Sequence, residues 1–208
     1  MSTVTLLGAT GRTGRLVAAE LRRRGHAVVV VVRDADRAPA ADRVVVGDVR
    51  DPAVLEQAVD GVDAVISALG PVKGEPHLHR DLAAALVPVL ERQGVPRYVG
   101  VSGAGVTLAE DRKSRRDRAI SAVMVVVGRA TVADKAAEIA AWAQSDVVWT
   151  LVRPPRLGDG PATGRVEHHA HTSPRSTAIT RVDLAAFLVD CLEQDLYPRQ
   201  APLVADRT

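Results

Sequence analysis

Val4-Thr5-Leu6-Leu7-Gly8-Ala9-Thr10-Gly11-Arg12-Thr13-Gly14 is the stretch from which the rest of the chain is read. A short β-type run enters a loop with glycine at every third position. A helical pattern then runs over residues 12–24 and is ended by Gly25. In such a turn Gly8 permits the tight bend, Gly11 lets backbone approach a diphosphate, and Gly14 lets helix and strand pack closely. The helix start adds unpaired N–H groups and a partial positive charge, so Thr10, Arg12 and Thr13 between the glycines complete an anion cradle. A bare glycine pattern also fits an ordinary strand-to-helix turn, so the flanking elements carry the reading.

Outward from that turn, strand and helix alternate. Residues 27–32, 44–46, 62–67, 97–102 and 147–152 read as further strands, and 176–180 as a candidate seventh. The valine run at 27–32 suits a central strand buried on both faces. Helices are predicted at 52–59 after Asp51 as N-cap and Pro52 at the first position, at 78–93 with Pro88 as a kink, and at 131–144. A last helix at 181–193 begins with a capping-box pattern, Thr180 and Asp183. This spacing predicts βαβ units in a doubly wound parallel α/β sheet, a Rossmann fold, as one domain over residues 1–208. Three irregular stretches, 71–78, 103–130 and 154–176, each follow the carboxyl end of a predicted strand. That is where such sheets hold ligands.

Composition narrows the function classes. The chain has 208 residues, 47% of them apolar, enough for a core without disulfide staples. Its one cysteine, Cys191, is in helical register with Leu184, Phe187 and Leu188 and reads as a small buried hydrophobe. A reducing, cytoplasmic setting follows as the simplest expectation. Residues 1–8 lack the basic and apolar regions of a signal peptide, and no apolar run approaches the roughly 20 residues of a membrane span. Net charge is +2, and the aromatics Tyr98, Trp142, Trp149, Phe187 and Tyr197 are too scattered for a base-stacking platform. Neither a nucleic acid nor a membrane is expected as partner.

The end of the second strand speaks to the coenzyme. An NAD site needs a carboxylate for the ribose 2′-hydroxyl, whereas NADP needs a cation for the 2′-phosphate. Arg33 follows the valine run and Arg37 lies one helical turn on, which favours NADP; the adjacent Asp34 is the alternative, serving a ribose. Asp48, with Val49 after it, is placed to accept from an adenine amino group, or is a plain turn carboxylate. Ala68-Leu69-Gly70 would pass its backbone beside the coenzyme's ribose.

Together, residues 8–14, Val31-Val32-Arg33-Asp34, 44–49, Asp63-Ala64-Val65-Ile66 with Leu69-Gly70, and Arg153-Pro154-Pro155-Arg156-Leu157-Gly158-Asp159 resemble the atypical short-chain dehydrogenase/reductases. Within them the NAD(P)H-binding biliverdin-IXβ reductase/flavin reductase group is the most similar. The resemblance implies an NADPH-dependent reductase acting on planar conjugated acceptors such as flavins, quinones or tetrapyrroles. Typical members pair a serine with Tyr-x-x-x-Lys. Here Ser102 stands at the serine position and Lys135 at the lysine position, but Thr131 replaces the tyrosine. Carbonyl reduction or epimerisation, which need a positioned acid or base, lose support. Ser102 is assigned to positioning near the nicotinamide, and Lys135 to coenzyme ribose or substrate charge. Pro154 and Pro155 would wall the nicotinamide pocket. Arg156 stands where flavin reductases carry a histidine and would orient an anionic substrate or face solvent. The missing tyrosine also suits an NmrA-like sensor that binds NADP without turnover.

Weaker features remain. Residues 111–118 form a basic cluster, read as a solvated loop or as a lid that draws in anions. Residues 119–127 are apolar enough to cover the site or contact a second subunit, leaving monomer and dimer both open. His168, His169 and His171 suggest a surface loop more than a metal site. His77 and His79 rim the loop after the fourth strand and could touch substrate.

Overall fold

The computed structural model describes residues 1–207, with the side chain of Val127 left aside; the last residue of the predicted domain, Thr208, lies outside the described residues. The chain runs β1 (Thr3–Leu7), α1 (Arg12–Arg23), β2 (Ala27–Val32), β3 (Arg43–Val46), α2 (Pro52–Val59), β4 (Ala64–Ser67), α3 (Leu78–Gln93) and β5 (Arg97–Val101). It continues through α4 (Arg115–Val127), α5 (Arg129–Ala143), β6 (Val148–Val152), β7 (Arg156–Gly158), β8 (Val166–His169), β9 (Ala178–Thr180), α6 (Arg181–Glu193) and β10 (Leu203–Asp206). Six parallel strands form the central sheet in the order β3-β2-β1-β4-β5-β6. The order reverses between β1 and β4, which opens a crevice at the strands' carboxyl ends.

The valine run of β2 is apolar throughout because both of its faces are covered. Val28, Val30 and Val32 join Val4 and Leu6 of β1 under α1 and α6. Val29 and Val31 join Leu7 under α2, α3 and α5. Between the two cores, Thr5 satisfies its hydroxyl by donating to the Ala58 carbonyl at 2.6 Å. The predicted caps form: Asp51 accepts from Ala53 N–H, and Thr180 accepts from Asp183 N–H. Helix α3 runs through Pro88.

Three expectations need correction. The stretch 103–130 is not irregular: it contains α4 and the start of α5. Ser114 caps α4 by accepting from Asp117 N–H, but the helix buries little of itself, so its apolar residues carry no clear helical period. The predicted seventh strand does not join the central sheet. As β9 it pairs with β7, while β8 pairs with β10, both in small separate sheets. The segment 154–176 therefore carries β7 and β8, whose short polar sequences gave no strand signal.

Candidate active site

Gly8 adopts φ +76°, and a Cβ there would lie 2.9 Å from the Leu69 nitrogen. At Gly14 a Cβ would lie 2.1 Å from the Gly8 carbonyl oxygen, so the helix meets the loop through this missing side chain. Gly11 is the N-cap of α1, without a side-chain cap. The N–H groups of Arg12, Thr13 and Gly14 find no protein acceptor among the described residues. Unpaired donors at the positive end of a helix fit a diphosphate.

Two depressions flank this cradle and share Leu69 as a wall. The smaller, about 80 Å³, is bounded by Gly8, Thr10, Arg33, Asp48 and Val49. The larger, about 630 Å³, is bounded by Thr13, Ala68, Gly70, Ser102, Lys135, Pro154, Pro155 and Arg156. The tertiary structure thus gathers most of the sequence-predicted residues around one crevice. Arg37 is exposed and borders neither depression; its carbonyl accepts from Arg15 at 3.2 Å. Arg12 is tied to Asp159 at 3.0 Å, and Asp159 also accepts from Arg181.

At the smaller depression, the Arg33 side chain is 70% exposed and its nearest carboxylate, Glu75, is 3.6 Å away. Glu75 also pairs with Arg50 at 3.1 Å, a residue the sequence reading missed. Arg50 grips Asp48 through both carboxylate oxygens, at 2.9 and 2.7 Å, and this holds the Asp48 carboxyl down to about 2. Its position two residues after Asp48 in a turn was the available signal. Asp34 caps a 3-10 turn (Ala35–Arg37) by accepting from Asp36 N–H at 3.1 Å, and borders neither depression.

At the other end, the Ser102 hydroxyl is buried without a hydrogen-bond partner among the described residues. Lys135 is buried, not solvated: its Nζ donates to the Val101 carbonyl at 2.6 Å and to Glu138 at 3.1 Å. Burial pulls the lysine below its ordinary range and pushes Glu138 above the usual carboxyl range. The loop reading of 111–118 is overturned in part. Arg112, Arg115, Arg116 and Arg118 are exposed, but Lys113 is buried and Asp111 makes a fully buried ion pair with Arg153. Helix α4 presents Ile120, Ser121 and Met124 to the larger cavity, while Val123 and Val126 face away and are exposed.

His79 does not border the cavity. It is buried with Nδ1 2.8 Å from Asp134, and its Nε2 lies 3.3 Å from the Leu69 carbonyl. Of the clustered histidines, His168 and His169 stand on β8 rather than in a loop: His168 packs on Phe187, with Nδ1 2.7 Å from the Tyr197 hydroxyl, while His169 is exposed, and His171 lies in the loop that follows. No group of three or more metal-ligating side chains occurs among the described residues. Nor is any helix among them long and apolar enough to cross a membrane.

A glycine turn with free amides at the switch point of a 3-2-1-4-5-6 sheet defines a dinucleotide-binding α/β protein. Residues 8–195 match the family described as NAD(P)H-binding, and the chain belongs to that family. A 3-diazoavenalumate denitrifying reductase of Streptomyces is 42% identical over 84 residues, 40% of this chain and 24% of the relative. The chain spans about half the length, or less, of the curated relatives it matches. A crystal structure from Burkholderia pseudomallei is 30% identical with a TM-score of 0.79, covering 99% of this chain and 100% of that one. A short-chain dehydrogenase/reductase of Veillonella parvula, solved in complex with NADP, shares the fold at 21% identity and a TM-score of 0.80, covering 99% and 95%.

Proposed function

We propose that the protein is an NADPH-dependent reductase of planar conjugated acceptors, of the flavin, quinone or tetrapyrrole kind. The observation that carries this is the larger cavity, walled by Ile120, Met124, Pro154, Pro155 and Leu157 around the unpartnered Ser102 hydroxyl. An apolar slot with few polar groups suits a flat ring system. When bound, the nicotinamide supplies hydride. The chain's part is to hold the diphosphate on α1, place Ser102 at the nicotinamide end, keep Lys135 toward ribose or substrate charge, and exclude water with Pro154 and Pro155. Thr131 stands one helical turn before Lys135, so no tyrosine acid serves a simple carbonyl. The reductase relative and the NADP-bound neighbour support the same reading. A reducing, cytoplasmic setting accords with a lone, buried Cys191, whose thiol burial pushes up to about 12.

The test is NADPH consumption with FMN, riboflavin and a quinone panel, alongside calorimetric binding. Oxidation with at least one acceptor is expected. Tight binding with no oxidation would instead mark an NADP sensor. NADP is preferred over NAD because Arg33 borders the smaller depression with its guanidinium largely free, while Asp34 is engaged as a cap. Arg33→Ala should weaken NADPH by about 1.5–3 kcal/mol, roughly 10–150-fold, and NADH hardly at all. Equal weakening of both coenzymes refutes the assignment.

A further inference from the structure

Lys113 lies in a run of exposed arginines yet is itself buried, and it borders the larger cavity together with Ser121 of α4. Its Nζ has four oxygens in reach: the carbonyls of Ala104 (2.6 Å) and Val106 (2.8 Å), Thr107 Oγ1 (3.0 Å) and Ser121 Oγ (3.0 Å). An ammonium carries three protons, so four acceptors share them. The Ser121 hydroxyl has only a long contact of its own, donating to the Ala104 carbonyl at 3.3 Å. A buried serine on the cavity wall therefore has a loosely held proton and an ammonium 3.0 Å from its oxygen.

We propose that Ser121, recharged by Lys113, delivers the proton that accompanies hydride to the acceptor. This rests on the hydride-transfer reading of the site. Hydride brings two electrons and one hydrogen to the conjugated ring. The Ser121 O–H bond then breaks as an O–H bond forms on the acceptor, the Lys113 N–H bond breaks to restore the serine hydroxyl, and bulk water reprotonates the amine. The favoured acceptor is accordingly a quinone-like conjugated carbonyl, whose reduction ends in a new O–H bond.

The charged groups around Lys113 set its protonation. Burial and the guanidinium of Arg153, just after β6, lower it, while Asp111 in the preceding loop and Asp117 on α4 oppose them, leaving it at about 8. His171 approaches the same Asp111 at 3.7 Å. An ammonium in this range is still protonated at neutral pH and is a better donor than an ordinary lysine.

The experiment compares wild type, Ser121→Ala, Ser121→Thr and Lys113→Met. It follows NADPH binding by fluorescence, melting temperature, and kcat and KM against pH with menadione. Ser121→Ala should keep the melting temperature and NADPH affinity but lose about 100-fold in kcat, the scale of general-acid catalysis. The wild-type rate should fall above about pH 8, and this limb should vanish in Ser121→Ala and return in Ser121→Thr. Lys113→Met should share the lost limb if it folds. Lysine-selective NMR gives an activity-free readout, because the chain has three lysines, Lys73, Lys113 and Lys135. Lys113 should titrate near 8.

Wild-type rate and basic limb in Ser121→Ala, or an ordinary lysine titration at Lys113, overturns the proposal while leaving the reductase reading intact. A wild type that binds NADPH and reduces neither menadione nor any other acceptor defeats the reductase reading, and the proton relay with it.

Discussion

Asp111→Ala should destabilise the fold by about 3–5 kcal/mol, because it strands a buried guanidinium without its counter-charge. The Asp111 and Arg153 side chains are both shut off from solvent, and two bonds of 2.6 and 2.8 Å join them in a fork. Arg153 also donates to the carbonyls of Ala201 and Val106, at 2.7 and 3.1 Å, so it fastens the segment after β5 to the β10 approach. For a chain of this size that loss is roughly 6–20 °C in melting temperature. A shift below about 3 °C would show that the carbonyls alone hold the arginine. The double variant Asp111→Leu/Arg153→Met should recover much of the loss, since removing both charges leaves none stranded.

The same pair sets a pH dependence. Burial raises the Asp111 carboxyl, but the Arg153 guanidinium and the Leu108 amide more than offset this and hold it below the ordinary range. A depressed carboxyl contributes stability above its unfolded value, about 3.9, and loses it as pH falls through the folded value. Chemical denaturation below about pH 4 should therefore narrow the gap between wild type and Asp111→Ala. A constant gap down to pH 2 would assign the stabilisation to hydrogen bonding without charge.

Gly14→Ala should cost about 3 kcal/mol or more and abolish the rise in melting temperature on adding NADPH. The added carbon would meet backbone on three sides, 2.1 Å from the Gly8 oxygen, 2.8 Å from its carbonyl carbon and 2.9 Å from Ala9 Cα. No rotamer relieves a clash with backbone, so the loop must move off the helix and the free amides lose their convergence. Gly11→Val separates packing from binding. Its Cβ has one neighbour, the Gly8 oxygen at 3.3 Å, so the fold should tolerate it while a valine intrudes on the diphosphate. Wild-type stability with no measurable NADPH affinity is the expected result for Gly11→Val. Unchanged affinity would reduce the loop to a turn.

Much of the fold was legible because local rules agreed with the global one. The uninterrupted valines of β2, the caps at Asp51 and Thr180, and the glycine turn each have a short-range physical cause, and each formed as expected. Helix α4 was not legible: a helix that buries mainly Asp117 and Ser121 has no need of an amphipathic period, and its valines are spread around it. Strands β7, β8 and β10 escaped for a related reason, since a three- or four-residue strand in a two-stranded sheet shows too little alternation to read.

The site divides along the same line. Residues held by the first βα turn and the strand ends, from Gly8 to Pro155, line the two depressions because backbone conformation and chain order put them there. Residues whose role depends on a distant partner were not. Lys113 looked like one more charge in a solvated run until Ala104, Val106 and Ser121 closed around it. Arg50 gained meaning only from Asp48 and Glu75, and His79 lost its place at the rim to Asp134, far along the chain. The one-dimensional pattern determined the parallel sheet and the diphosphate cradle, because these follow from periodicity and from the absence of a Cβ. Which charges are buried, and which of them face the larger cavity, was decided only in three dimensions, because desolvation depends on everything packed around a group.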